Sequence, residues 1–385
     1  MSVWHLDAKM AQAIVSRTMA IIDTNINVMD AQGRIIGSGD TDRIGELHEG
    51  ALLALSQGRV VDIDSSVARH LHGVRQGINL PLHIGEEIVG VIGLTGDPDS
   101  LRKYGELVCM TAEMMLEQSR LMHLLAQDTR LREELVVNLI HADAQTPALS
   151  EWALRLGIDL NQPRVAIVVE IDSGQLGVDS AMDELQQLQT AFTAPDKNSL
   201  VAIMSLTEIV VLKPALNAAG RWDLESHRRQ LEQLIKRQNA GGQLQFRLAL
   251  GNFFTGTGSI ARSYRTARTT MVVGKQHMPE SRAYFYQDLM LPVLLDSLRG
   301  GWQANELARP LEKLKAIDHN GRLRHTLQTW FRHDVQPLAT SKALYIHRNT
   351  LEYRLNRISE ATGLDLANFN DRLLLYIALQ LDEDK

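Results

Sequence analysis

The chain has 385 residues, 44% of them hydrophobic and 22% charged, with a formal net charge of −6, which fits a soluble globular protein of about two or three domains. No apolar run approaches the roughly 20 residues that span a bilayer, and MSVWHLDAKM at the N-terminus lacks a basic-then-apolar signal, so we expect a cytoplasmic protein with no membrane partner. A single cysteine, Cys109 in LVCMTAEMM, excludes an internal disulfide and reads as a buried thiol, while His70 and His72 have no cysteine near them; we expect no metal and no cofactor.

Met10, Ile14, Met19, Ile21 and Ile22 recur at helical spacing and predict a helix over 7–23. Asn25 to Ala31 and Arg34 to Gly37 alternate around Gln32-Gly33, the pattern of a hairpin. A helix is expected from Ile44 to Ser56, a strand at 60–64 (VVDID), and a second hairpin over 77–96 turning at Gly85-Glu86. Helix, hairpin, helix, hairpin and a long helix is the order of an α+β sensor of the PAS or GAF type. The connecting pieces are polar and glycine-rich, and they make Ser38, Arg43, His48, Arg75, Gly77, Asn79 and Thr95 candidates for a ligand pocket. Glycines admit backbone N–H groups to an anion, and Arg43, His48 and Arg75 can pair with carboxylates. The alternative is that the glycines only turn the chain, the arginines are solvated, and His48 is an ordinary histidine.

From Leu101 to Ala142 the sequence is compatible with one helix. Leu107, Thr111, Met114, Gln118, Leu121 and Leu125 approximate a heptad seam, which Leu131, Leu135 and Leu139 continue after a shift of register. Either the seam joins two copies, as suits a reader of two-fold DNA sites in a homo-oligomer, or the helix packs on its own sheet. DAQTPAL at 143–149 reads as a boundary. Beyond it we expect a strand at 164–171, a helix from Ser180 to Ala194, strands at Leu200–Met204 and Glu208–Leu212, a charged helix over 220–238, a strand at 245–251 and a helix over 259–275.

That order resembles a nucleotide-cyclase domain of the GGDEF class. Such an enzyme needs carboxylates for two metal ions and glycines at the hairpin that meets the nucleotide. The equivalent hairpin, Ser205-Leu206-Thr207-Glu208, has no glycine. Glu170 and Asp172 either hold one metal or are solvated strand-end carboxylates. We read a degenerate cyclase-like α/β scaffold, with a nucleotide-binding or cyclase-like signalling enzyme as the rival. The glycine-rich 251–270 stretch either attracts an anion at a helix N-terminus or is an ordinary loop.

Leu289–Leu298 and Ala304–Ile317 are expected as a helical linker and Arg322–Arg332 as a support helix. Val335 to Ile358 then reads as a helix-turn-helix: Leu338, Ala339, Ala343 and Leu344 form the stripe of the first helix, Tyr345 to His347 the turn, and Leu351, Leu355 and Ile358 the inner face of the second. Arg348, Asn349, Thr350, Tyr353, Asn356 and Arg357 point away from that face, and Lys342 and Arg354 add basic charge. Arg chelates guanine, Asn chelates adenine, and Thr meets the thymine methyl. A solvated amphipathic helix would look similar, but residues 322–358 hold seven Arg and Lys against two acids in an acidic chain, a local footprint for a polyanion. Gly363 stops the helix, and a closing helix at 370–381 is expected to bury Leu373, Leu374, Ile377, Leu379 and Leu381.

DTDRIGELHEGA, GVRQGINLPL and GVIGLTGDP resemble a sugar-diacid recognition domain. HRNTLEYRLNRI, TGLDL and NDRLLLYIALQL resemble the C-terminal helix-turn-helix of the purine-catabolism regulator type. The resemblance covers nearly the whole chain and implies no enzyme but an activator of transcription. It implies double-stranded DNA and a small anionic sugar acid or diacid as partners, and control of genes for uptake and metabolism of D-glucarate, D-galactarate and D-glycerate. The expected architecture is multidomain α/β: a sensor over 1–142, the degenerate domain over 143–285, a linker over 286–321 and an all-α DNA-binding domain over 322–385.

Overall fold

The computed structural model describes residues 5–144, 146–172, 178–194, 196–239 and 245–382. Two compact units divide the chain, Met1–Thr129 and Arg130–Lys385.

In the first unit α1 (Ala8–Met19) leads into β1 (Ile26–Asp30) and β2 (Ile35–Ser38); α2 (Glu49–Gln57), β3 (Val61–Ile63) and the single turn α3 (Ser65–Ala68) follow, then β4 (Gly77–Ile84), β5 (Glu87–Thr95) and the 44-residue α4 (Pro98–His141). The sheet is antiparallel in the order β2-β1-β5-β4-β3. Period-two alternation sorts its side chains. Ile26, Val28, Ile78, Leu80, Ile92 and Leu94 face α1 and the first turns of α4, where Ile14, Val108, Ala112 and Leu116 close the core. Met29, Ile35 and Val91 face the opposite way, under Ala51 and Ala54 of α2. That helix begins five residues later than expected, because Thr41–Arg43 forms a 3-10 turn and Leu47 bridges Arg34 before His48 caps it. Cys109 is half-buried rather than buried, donates from Sγ to the Pro81 carbonyl at 3.4 Å, and is pushed up to about 12 by burial, with Glu113 beside it.

The second unit starts inside α4. Leu135, Val136, Leu139 and Ile140 enter its core with Val168, Val210, Ala249, Tyr264 and Tyr284. By contacts the two units divide at 129/130, and past the shift of heptad register the apolar stripe stays exposed through Leu131 and is buried from Leu135 onward. The expected boundary itself holds the start of α5 (Pro147–Arg155), capped by Thr146. Strands β6 (Arg164–Asp172), β7 (Leu200–Ser205), β8 (Glu208–Pro214), β9 (Gln245–Leu250) and β10 (Ala283–Phe285) form the sheet β10-β9-β6-β8-β7, flanked by α6 (Val178–Thr193), α7 (Leu224–Asn239) and α8 (Ser259–His277). β10, three residues parallel to β9, is too short for a periodic signal and was not expected.

The stretch expected as a linker is divided between two cores. Leu289 and Val293, at α9 (Met290–Asp296), complete the sheet's core. Leu311 and Leu314 of α10 (Trp302–Ile317) join Leu327 and Trp330 of α11 (Arg322–Arg332), Ile358 of α13 (Arg348–Thr362), and Leu375 and Leu379 of α14 (Phe369–Asp382) in a separate helical core. So α10 is a wall of the C-terminal bundle. In α14 the helix phase buries Leu375, Ala378, Leu379 and Leu381 and turns Leu373 and Leu374 outward, against expectation.

Candidate functional site

Two constellations carry the chemistry. The first is the corner between α12 (Pro337–Ala343) and α13. Leu338, expected inside, is 67% exposed. The buried positions of α12 are Thr340 and Ser341, whose hydroxyls donate to the Gln336 and Leu338 carbonyls and so enter the interior satisfied. At the corner the Ile346 N–H reaches back to the Ser341 carbonyl and the Tyr345 N–H to that of Lys342, with Tyr345 at φ 54°, a left-handed position glycine usually fills. His347 then caps α13, its Nδ1 accepting from the Asn349 N–H at 3.3 Å.

Leu351 and Ile358 are buried and Leu355 half-buried, so the back of α13 is held as expected. Lys342, Arg348, Asn349, Thr350, Tyr353, Asn356 and Arg357 are exposed. Arg357 pairs with Glu360 at 3.0 Å. Arg354, expected to add basic charge, is half-buried, and its Nη1 donates to Thr326 Oγ1 of α11 at 3.2 Å, tying it to the support helix. Tyr345, 96% exposed beside this face, was read from sequence only as turn.

The second constellation lies across the first sheet. Register places Ser38, Asn27, Gly93 and Asn79 in one row over β2, β1, β5 and β4. Ser38 Oγ donates to Asn27 Oδ1 at 2.6 Å. Gly93 leaves a gap before Asn79, whose Oδ1 is buried without a hydrogen-bond partner among the described residues. A Cβ at Gly50 would lie 3.0 Å from Asn79 Nδ2 and 3.1 Å from His48 Cε1, so the start of α2 brings His48 and Asn79 together. Arg43 is 7% exposed; its Nη2 donates to the Gly73 carbonyl and its Nε faces Glu46, while Nη1 is buried and unpartnered among the described residues.

Other candidates stand apart from this group. Arg75 is exposed and paired with Asp40 at 3.2 Å. Gly77 faces Thr95 across the ladder, and a Cβ there would fall 2.0 Å from the Leu94 carbonyl oxygen, so its glycine is a packing requirement. Asn27 and Gly93 were missed, because a cross-strand row exists only once the strand order is known.

His48 Nδ1 accepts from the Ala51 N–H at 3.1 Å, which puts the ring proton on Nε2. Burial, then the Arg43 guanidinium, lower its pKa from 6.5 to about 4. Between those values the unfolded chain binds a proton that the folded chain refuses. Stability from neutral His48 is complete above pH 6.5, falls as pH drops through the window by up to about 3 kcal/mol, and is lost below about 4. Urea titrations above and inside the window should show a smaller acid loss for His48→Gln than for the parent; equal losses would refute this assignment.

In the second unit, Glu170 receives the Lys275 ammonium at 2.7 Å. Glu208 at the hairpin accepts from the Tyr264 hydroxyl at 3.3 Å. At the glycine-rich stretch Arg262 donates to the Thr255 and Thr257 carbonyls.

Three family models match the sequence: sugar diacid recognition over 6–139, a GGDEF-like domain over 141–273, and the PucR C-terminal helix-turn-helix domain over 323–381. The chain is 80% identical over 385 residues, all of both chains, to the carbohydrate diacid regulator of Escherichia coli (strain K12). An uncharacterized protein of Haemophilus influenzae is 34% identical over 98% of this chain and the whole of its own. The DNA-binding transcriptional activator AdeR of Bacillus subtilis is 28% identical over 51% of this chain and 47% of its own.

Proposed function

Because the chain belongs to the carbohydrate diacid regulator family, we propose that it activates genes for the uptake and metabolism of D-glucarate, D-galactarate and D-glycerate in response to a sugar acid or diacid bound by its first unit. It is a transcriptional regulator with a helix-turn-helix DNA-binding domain, and not an enzyme. The observation that carries the ligand reading is the buried polar group in the first unit. Arg43 Nη1 and Asn79 Oδ1 lack partners among the described residues, beside a neutral His48 that offers Nε2–H. Buried polar atoms left unpaired cost about 1–3 kcal/mol each, and a polyhydroxy acid supplies a carboxylate for the guanidinium and hydroxyls for the amide and imidazole. The strand order 2-1-5-4-3 with helices on both faces supports a PAS-like sensor.

The domains are taken as sensor, cyclase-like scaffold and reader, in that order, with Lys342, Arg348, Asn349, Thr350, Tyr353, Asn356 and Arg357 as the DNA face. The protein works in the cytoplasm as a homo-oligomer matched to two-fold DNA sites. Against the rival of a cyclase-like enzyme stands Lys275, whose ammonium occupies the Glu170 carboxylate that a metal ion would need. An acid shifts DNA affinity only if it prefers one of two states of the protein. Titration of operator DNA with purified protein, at fixed salt, with and without glucarate, galactarate and glycerate, tests the proposal. A shift of several-fold in affinity with at least one acid is expected, and no shift with any of the three overturns it.

A further inference from the structure

Between Leu116, the last residue of α4 in the first core, and Leu135, the first in the second, none of the described residues 117–134 is buried. Helices draw most of their stability from tertiary packing of an apolar face, and isolated segments of this length are marginal in water. An exposed apolar stripe nevertheless runs along α4 from before this segment into it. Tyr104, Leu107, Met114, Leu121 and Leu125 are each more than half exposed and follow one another at alternating intervals of three and four, with Thr111 and Gln118 completing the repeat. Met110, Met122 and Leu124, also more than half exposed, widen the stripe.

We propose that this face of α4, from Tyr104 to Leu125, is the interface with a second copy of the chain, joined as a parallel two-stranded coil. A heptad seam is complementary to itself, each side chain entering a hole between four of the facing helix. The exposed parts of these side chains offer on the order of 800 Å2 per copy, the share per partner of a standard specific interface. Thr111 enters the seam with its hydroxyl already donating to the Leu107 carbonyl, leaving its methyl group for packing. Gln118 is the one amide at the seam, and an in-register parallel pair sets it against its own copy, where two amides satisfy each other and fix the register. The inference deepens the homo-oligomer reading above and rests on it for its purpose, but its test needs neither DNA nor diacid.

Sedimentation of the full chain should show a dimer. Leu107→Glu/Met114→Glu/Leu121→Glu, all at exposed positions, should weaken dimerisation at least a hundredfold with an unchanged circular dichroism spectrum. In a Cys109→Ala background, Tyr104→Cys alone and Leu125→Cys alone should each cross-link two copies on oxidation. A monomeric parent, or a triple variant that stays dimeric, overturns the interface. Cross-linking only when the two cysteine variants are mixed overturns the parallel arrangement. A dimer that dissociates as expected but ignores every acid in the DNA titration would leave the interface standing and remove the sensor reading alone.

Discussion

Ile358→Ala should destabilise the C-terminal bundle by about 2–5 kcal/mol and abolish DNA binding while leaving diacid binding intact. Ile358 is fully buried where side chains from α10, α11 and α14 converge, so truncation removes apolar contact with several helices at once. Collapse of one helix onto the void would pull another away, and the cavity term therefore adds to the transfer term. A domain of this size has only several kcal/mol of total stability, which makes unfolding of the reader the dominant result. Two measurements separate this from a direct contact effect: a lowered melting transition, and retained heat of diacid binding by the first unit. A variant that melts like the parent but fails to bind DNA would place Ile358 at the DNA surface, contrary to its burial.

Arg43→Ala should weaken diacid binding at least a hundredfold, about 3 kcal/mol, the lower part of the range for truncating one partner of a buried charge pair. The guanidinium is held from two sides, by the Gly73 carbonyl and by Glu46, so its free Nη1 is fixed in place before any ligand arrives. Pre-ordering of this kind keeps the side-chain entropy cost out of binding. Arg43→Lys should recover little, since an ammonium cannot satisfy Gly73 and a carboxylate with the same planar fork. Calorimetry on the full chain gives the affinity, and DNA affinity without acid should be unchanged. Binding within threefold of the parent would remove Arg43 from the site.

All the strands of both sheets except β10 were legible because they alternate or run apolar between turn residues, as IVGVIGLT and RVAIVVEI do. Errors gathered where helix phase or long-range packing decides. Leu373 and Leu375 are indistinguishable by composition, yet one faces water and the other the core, because the start of α14 at Phe369 sets the phase. Thr340 and Ser341 look like surface residues until their intrahelical hydrogen bonds are seen. In the candidate sites, Arg43 and His48 were visible as residue types in a glycine-rich setting. Asn27 was not, since its place beside Ser38 depends on a pairing between strands. The anchoring of Arg354 was hidden for the same reason: its partner, Thr326, lies 28 residues away.

The heptad seam on α4 makes chain length within it a matter of screw phase. Each residue of an α-helix turns the chain by about 100°, so one residue inserted between Gln118 and Leu121 would carry the seam positions beyond it off the stripe by that amount. Seven residues would nearly restore the original azimuth, leaving only about 20°. Length variation in this span is therefore quantised: tolerance should return with the heptad and fail between.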